Sequence, residues 1–171
     1  MSLNDLPPAE VMWAGKFIRA IRRGKWEYAS RTNNIGAVVI LAEHEGKVIL
    51  VEQPRVPLGK RSLELPAGLV GDQDPDATVE STAVKELEEE TGFTAERIER
   101  LGEFYSSPGM LAEAFTIVRA HGVRKVGEGG GNHSEDIAVH LVPRAEVQNF
   151  IEQKRAEGIG VDAKLLLLLN Y

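Results

Sequence analysis

The chain has 171 residues, 43% of them hydrophobic and 27% charged, which suits one domain with a buried core. Twenty Lys and Arg against 26 Asp and Glu leave a net charge of -6. That balance argues against broad, sequence-independent binding to nucleic acid or anionic membrane, so any phosphate must be met locally. With no cysteine, disulfides, thiolate zinc sites and thiol nucleophiles are excluded, and a reducing cytoplasm is permitted.

The opening MSLNDLPPAE lacks the basic and apolar blocks of a signal peptide, and the longest apolar run, Leu165 to Leu169, is far too short to span a bilayer. We therefore expect a soluble, cytoplasmic protein. Alternating and β-branched stretches predict strands over 17–23, 26–31, 36–43, 47–55, 61–67, 100–107, 114–122 and 136–143. A helix is predicted over Pro75 to Thr91, stopped by Gly92, and another over Arg144 to about Gly158, where Val147, Phe150 and Ile151 fall at helical intervals. A short third helix is expected over 161–171, its leucines serving as core contacts. The glycines at 129–131 read as a flexible loop; no Gly-Lys-Ser/Thr follows, so they are no phosphate-cradling P-loop. The expected fold is mixed α/β (α+β), with residues 1–34 as an N-terminal antiparallel strand arm and 35–171 as the main domain.

The densest charge lies in KELEEETGF, Lys85 to Phe93. On a helix, Glu86, Glu89 and Glu90 share one arc, Ala83, Val84 and Leu87 form the neighbouring apolar stripe, and Glu88 points elsewhere. A solvated charged face is the ordinary reading of such a run. Two costs oppose it here: like charges at i+4 repel, and carboxylates in the last turns meet the negative end of the helix dipole. A hard divalent cation with oxygen ligands, such as Mg2+, removes both. The residues alone thus point to a metal site on a helix.

This segment resembles the second half of the Nudix hydrolase box, Arg-Glu-apolar-x-Glu-Glu-x-Gly-apolar. Glu86, Leu87, Glu89, Glu90, Gly92 and Phe93 match it, with Lys85 where Arg is usual. The first half departs from the pattern. Counting back puts Ala77 at the usual Glu and Gly71 at the usual Gly; we prefer Gly68 of LELPAG as the box glycine, which leaves three extra residues and no match for the first Glu. Lysine cannot reproduce a bidentate guanidinium contact, so the departure bears on loop geometry and rate more than on metal binding. The resemblance implies the Nudix fold, a mixed β-sheet sandwiched between helices.

LVEQPR, LELPAG and SSPGML are similar to segments of ADP-ribose and nucleoside-diphosphate-sugar pyrophosphatases, and Pro108 stands sixteen residues after Gly92, as in that subfamily. The resemblance implies metal ligands at Glu86, Glu89, Glu90 and Glu135 and at the Ala67 carbonyl, with Asp136 the near alternative to Glu135. Mg2+ is the expected ion and Mn2+ the alternative. A general base would come from Glu89, His133 or Glu135. Substrate contacts would come from Arg31, Arg55, Pro108, Gly109 and Glu113, although Glu113 reads equally as an exposed strand-edge residue. Phe17 and Trp26 match aromatic positions that sandwich a base across a homodimer with swapped N-terminal strands; both also read as core or dimer packing.

The implied reaction is attack of water on one phosphorus of a diphosphate linkage, with ADP-ribose the first-choice substrate, giving AMP and ribose 5-phosphate. GDP-mannose-type nucleotide sugars are the alternative, as is a catalytically weak nucleotide-sugar-binding module.

Overall fold

The computed structural model describes residues 2–33, 35–72, 74–132 and 135–169. His133, one of the expected bases, lies outside them. Three strands come first: β1 (Glu10–Ala14), β2 (Ile18–Arg23) and β3 (Trp26–Arg31) form a separate antiparallel sheet in that order. This is the expected arm, with β1 an addition that the sequence pattern did not announce. Exposure explains the omission: all five β1 residues face solvent, so no buried/exposed alternation marks them.

The main body is built on β4 (Ala37–Leu41), β5 (Glu43–His44), β6 (Lys47–Arg55), β7 (Lys60–Glu64) and β8 (Ala67–Leu69). Helix α1 (Val79–Thr91) follows, then β9 (Phe93–Thr94), β10 (Arg97–Tyr105), β11 (Ala114–His121), β12 (Arg124–Lys125) and β13 (Ala138–Pro143). Helix α2 (Val147–Ala156), β14 (Gly160–Val161) and a 3-10 turn at Ala163–Leu168 complete the chain order. One sheet runs β10-β11-β4-β8 and another β13-β6-β7-β14 with β5 beside β6, while β9 and β12 pair alone. Both larger sheets are mixed, since β11–β4 and β7–β14 are parallel and their other pairs antiparallel.

Strands β4 and β6 are buried on both faces, and this divides the core in two. Val38, Ile40 and Ile49 pack with Ala83 and Leu87 of α1, with Phe93 and with Val118. Val39, Val48, Leu50 and Leu63 pack instead with Val147 and Ile151 of α2 and with Leu165 and Leu168. Period-two alternation along one strand thus feeds a helix on each side, which is the expected sandwich. The leucines at 165 and 168 are core, as the sequence suggested, although they sit in a 3-10 turn and not an α-helix.

Further boundaries differ: α2 starts at Val147, after a 3-10 turn at Arg144–Glu146. The stretch 61–67 is not one strand, because Leu65 and Pro66 carry the chain from β7 in one sheet to β8 in the other. Helix α1 starts at Val79, not Pro75, because its first turn is fixed by a capping box: Ser81 N donates to Thr78 Oγ1 at 3.1 Å, and Thr78 N to Ser81 Oγ at 2.9 Å. The residues before it form a tight turn on Asp74, whose Oδ1 accepts from Asp76 N and whose carbonyl accepts from Ala77 N, both at 3.0 Å. That turn and cap hold the loop where the family's first Glu and Arg are missing.

Candidate active site

The acidic helix ends against a cavity of about 570 Å³. Glu86, Glu89 and Glu90 line it from α1, Ala67 and Gly68 from β8, Arg55 from β6, Asp72 and Asp74 from the loop before the helix, and Glu135 from the loop before β13. Every expected metal ligand therefore reaches one space. Leu87 and Ala83, fully buried, fix the rotation of the helix that aims these carboxylates outward from the core.

Glu90 is the deepest acid, only 5% exposed, and it accepts a hydrogen bond from Ala67 N at 3.0 Å. Burial pushes its carboxyl up to about 8, and the charges of Glu86 and Glu135 push the same way, against the opposing Ala67 hydrogen bond and Arg55. Burial also raises the Glu86 carboxyl above the usual range; Glu89, Glu135 and Asp72 add to this and Lys85 opposes it. Glu86 passes so close to Gly68 that a Cβ there would lie 2.1 Å from its Cγ. Only glycine leaves room, which supports Gly68 as the box glycine.

Among the described residues, no three His, Asp or Glu side chains are gathered tightly enough to hold a metal ion as they stand. The donor set nevertheless fits a hard dication in kind: it is all oxygen, acids outnumber cations around it, and burial, with a smaller push from neighbouring acids, raises the Glu86 and Glu90 carboxyls, which a dication would offset. Gathering the ligands requires side-chain rotation at Glu86, Glu89 and Glu135, all of which reach solvent. Asp136, the alternative to Glu135, is committed elsewhere, to Arg61 at 2.6 Å.

Opposite the acids, Arg55 is held by a bidentate pair with Glu64, at 2.8 and 2.7 Å. Glu64 is not among the residues the sequence singles out; it stands in LELPAG, and the hairpin register puts it on the same face as Arg55. Lys85 reaches Glu89 at 3.4 Å, so the residue in place of the usual Arg pairs along the helix.

The glycine loop is not a flexible spacer. Gly130 N donates to the Glu90 carbonyl at 2.8 Å and Gly131 N to the Glu89 carbonyl at 2.9 Å, satisfying carbonyls that a helix end leaves open. Gly129, at φ +72, lies so near that a Cβ would meet the Thr91 carbonyl carbon at 2.3 Å. The loop is docked on the helix, and its glycines are what let it approach.

The remaining expected substrate residues lie away from this cavity, in and around the arm. Trp26, Pro108 and Gly109 line a second, more apolar cavity of about 550 Å³ with Tyr28, Tyr105 and Leu111. The loop carrying Pro108 is stitched to β3, with Ala29 N donating to the Met110 carbonyl and Ala112 N to that of Ala29, both at 2.9 Å. Arg31 pairs with Glu113 at 2.5 Å, so these two residues meet each other. Phe17 is 66% exposed and Trp26 47% exposed, at opposite ends of the β2–β3 hairpin. Six residues of strand, roughly 20 Å, separate them. One copy of the chain cannot close both rings on one base.

A NUDIX domain model matches residues 32–163. An ADP-ribose pyrophosphatase of Bacillus subtilis (strain 168) is 48% identical over 171 residues, covering 95% of this chain and 88% of that protein. A GDP-mannose pyrophosphatase of Cronobacter sakazakii is 33% identical over 158 residues, covering 87% and 78%. Among solved structures, one described as an ADP compounds hydrolase superposes with a TM-score of 0.68 at 22% identity, over 86% of this chain and 82% of that one, a likeness of fold.

Proposed function

Because the chain belongs to the Nudix hydrolase family, we propose that it hydrolyses the diphosphate linkage of a nucleoside diphosphate sugar, with ADP-ribose as the preferred substrate and AMP and ribose 5-phosphate as products. One observation carries the reading: Glu86, Glu89, Glu90 and Glu135 converge on a single cavity that Arg55 also lines, in an arrangement that is electrostatically costly without a cation.

Nudix hydrolases work with a divalent cation; we take it to be Mg2+, with Mn2+ able to replace it. Glu86, Glu89, Glu90, Glu135 and the Ala67 carbonyl would hold it, and it would supply charge neutralisation of the diphosphate and a lowered pKa for the attacking water. Arg55, its fork oriented by Glu64, offers a guanidinium to phosphate oxygens. Glu89, exposed at the cavity wall, takes the proton from water, with Glu135 beside it. One P–O bond forms to the water oxygen and the bridging P–O bond breaks, its electron pair leaving with the second monophosphate.

Residues 1–34 act as the base-binding and dimerising arm, and 35–171 as the hydrolase domain. Val11, Met12, Trp13, Phe17 and Ile18 expose apolar surface on that arm, which favours a homodimer with swapped strands. In such a dimer, Phe17 of one copy and Trp26 of the other could approach one base. No helix among the described residues is long and apolar enough to cross a membrane; we place the protein in the cytoplasm.

The test is a substrate panel of ADP-ribose, GDP-mannose, UDP-glucose and NADH with Mg2+, reading released monophosphates. ADP-ribose should lead. A tenfold preference for GDP-mannose would shift the assignment to the activity of the second relative, and no release from any of the four would reduce the chain to a binding module.

A further inference from the structure

On the opposite face of the β6–β7 hairpin from the acidic cavity, Glu52 is buried and meets three cationic or ring nitrogens: Arg61 Nε at 2.8 Å, Lys154 Nζ at 3.0 Å and His140 Nε2 at 3.1 Å. Arg61 does more than neutralise it. Its Nη2 donates to the Glu52 carbonyl at 2.8 Å and to the Asp136 carbonyl at 3.2 Å, and its Nη1 donates to Asp136 Oδ2 at 2.6 Å. One guanidinium therefore ties a buried strand to both the side chain and the backbone of an exposed residue, and that residue is the next one after Glu135.

We propose that Arg61 is a positioning residue for Glu135: by gripping Asp136 from the far face of the sheet, it fixes the loop that presents the Glu135 carboxylate to the acidic cavity. The inference rests on the reading of Glu135 as a metal ligand. Three observations converge on it. Glu52 keeps Lys154 and His140 without Arg61, so the burial of Glu52 does not by itself account for the bonds to Asp136. The front of the same loop is already held, because Gly130 and Gly131 donate to the carbonyls of Glu90 and Glu89, so Arg61 supplies the grip at its other end. Between the two grips, Glu135 Oε2 accepts from Asn132 N at 2.9 Å, a local bond that orients the carboxylate only if the loop itself is held.

The loop in this way joins two elements, the end of α1, which lines the cavity, and strand β7, whose Arg61 lies on the far face of the hairpin. Partners of this outer kind alter metal affinity or activity by roughly 10- to 100-fold when removed. A role confined to stability would lower the melting temperature and leave the affinity of the folded protein for a cation unchanged.

The experiment measures Mn2+ binding by electron paramagnetic resonance, alongside melting temperature and amide exchange at Glu135, in Arg61→Ala, Asp136→Ala, the double variant and Glu135→Gln. Arg61→Ala should weaken Mn2+ binding roughly tenfold and speed exchange at Glu135. Asp136→Ala, at an exposed position that leaves the core intact, should do the same, and the double variant should be no worse than either single one. Additive losses would show Asp136 acting on the ion directly and would overturn the inference. Unchanged Mn2+ affinity in Asp136→Ala would also overturn it, even if Arg61→Ala failed to fold. If Glu135→Gln binds Mn2+ normally, the reading of the site fails and takes the inference with it; if Glu135→Gln is weakened while Arg61→Ala is not, the inference alone falls.

Discussion

The β6–β7 hairpin carries an Arg–Glu pair on each face, and the two faces treat the same chemistry differently. On the α2 face, Arg61 and Glu52 sit among Lys154, His140, Asp136 and Glu157, a set whose charges nearly cancel. On the α1 face, Arg55, held by buried Glu64, looks onto a cavity where six acids, Asp72, Asp74, Glu86, Glu89, Glu90 and Glu135, outnumber the two cations Arg55 and Lys85. A balanced cluster is complete in itself and holds elements together. An unbalanced one is incomplete, and the deficit of positive charge states what it accepts. Strand alternation assigns each residue to its face, so a one-residue register slip would exchange the two roles.

The comparison breaks most sharply at Glu90. Replacing it with Gln keeps its shape but leaves a group that cannot ionise to meet a cation, so turnover should fall by about 10²–10³, the scale for removing one preorganised electrostatic group. Melting temperature should hold or rise, and unchanged kcat would remove Glu90 from the site.

Arg55→Lys keeps the charge but loses the fork on Glu64. We expect kcat/KM to drop by roughly 10- to 100-fold, as for loss of an orienting partner, with a stability cost near 1–3 kcal/mol for leaving buried Glu64 incompletely bonded. On the other face, Glu52→Ala should leave the substrate preference alone and cost about 1.5–3 kcal/mol, the scale for hydrogen bonds to charged groups, read by urea unfolding. A change in preference instead would mean that the far face sets specificity and not only the placement of the Glu135 loop.

The smallest expected effect lies at the start of α1, where the Glu80 carboxyl is held down to about 2, chiefly by its hydrogen bonds from Arg100. Because the folded value lies below the unfolded one, near 4.5, the stabilisation is complete above that value and is lost as pH falls toward about 2. Both side chains are exposed, so the contribution is small and shrinks in salt. The gap in melting temperature between the wild type and Glu80→Gln should narrow between pH 4.5 and pH 2; a constant gap would show that the pair contributes nothing.

The acidic arc was legible because helical spacing is a property of neighbours in sequence: Glu86, Glu89, Glu90 and the stop at Gly92, at φ +75, all stand as expected. So were the two-sided strands, whose Val and Ile runs need no partner to be recognised. The pairs Arg61–Glu52 and Arg55–Glu64 were not read, because each joins two strands whose register depends on the 3-10 turn at Val56–Leu58 between them. The glycine loop was misread for a related reason. Glycine announces conformational freedom in a sequence, but only the fold shows whether that freedom is left open or spent on a close approach. The start of α1 was set four residues late of Pro75 by a side-chain cap, a local signal outranked in the reading by the proline.

The docking of Gly130 and Gly131 on Glu90 and Glu89 carries a mechanical consequence. The residues whose backbone carbonyls anchor the loop are the same two whose carboxylates face the cavity. The loop bearing Glu135 is thus tied at one end to the tail of the helix and at the other, through Asp136 and Arg61, to β7, so the acids of both segments share one framework.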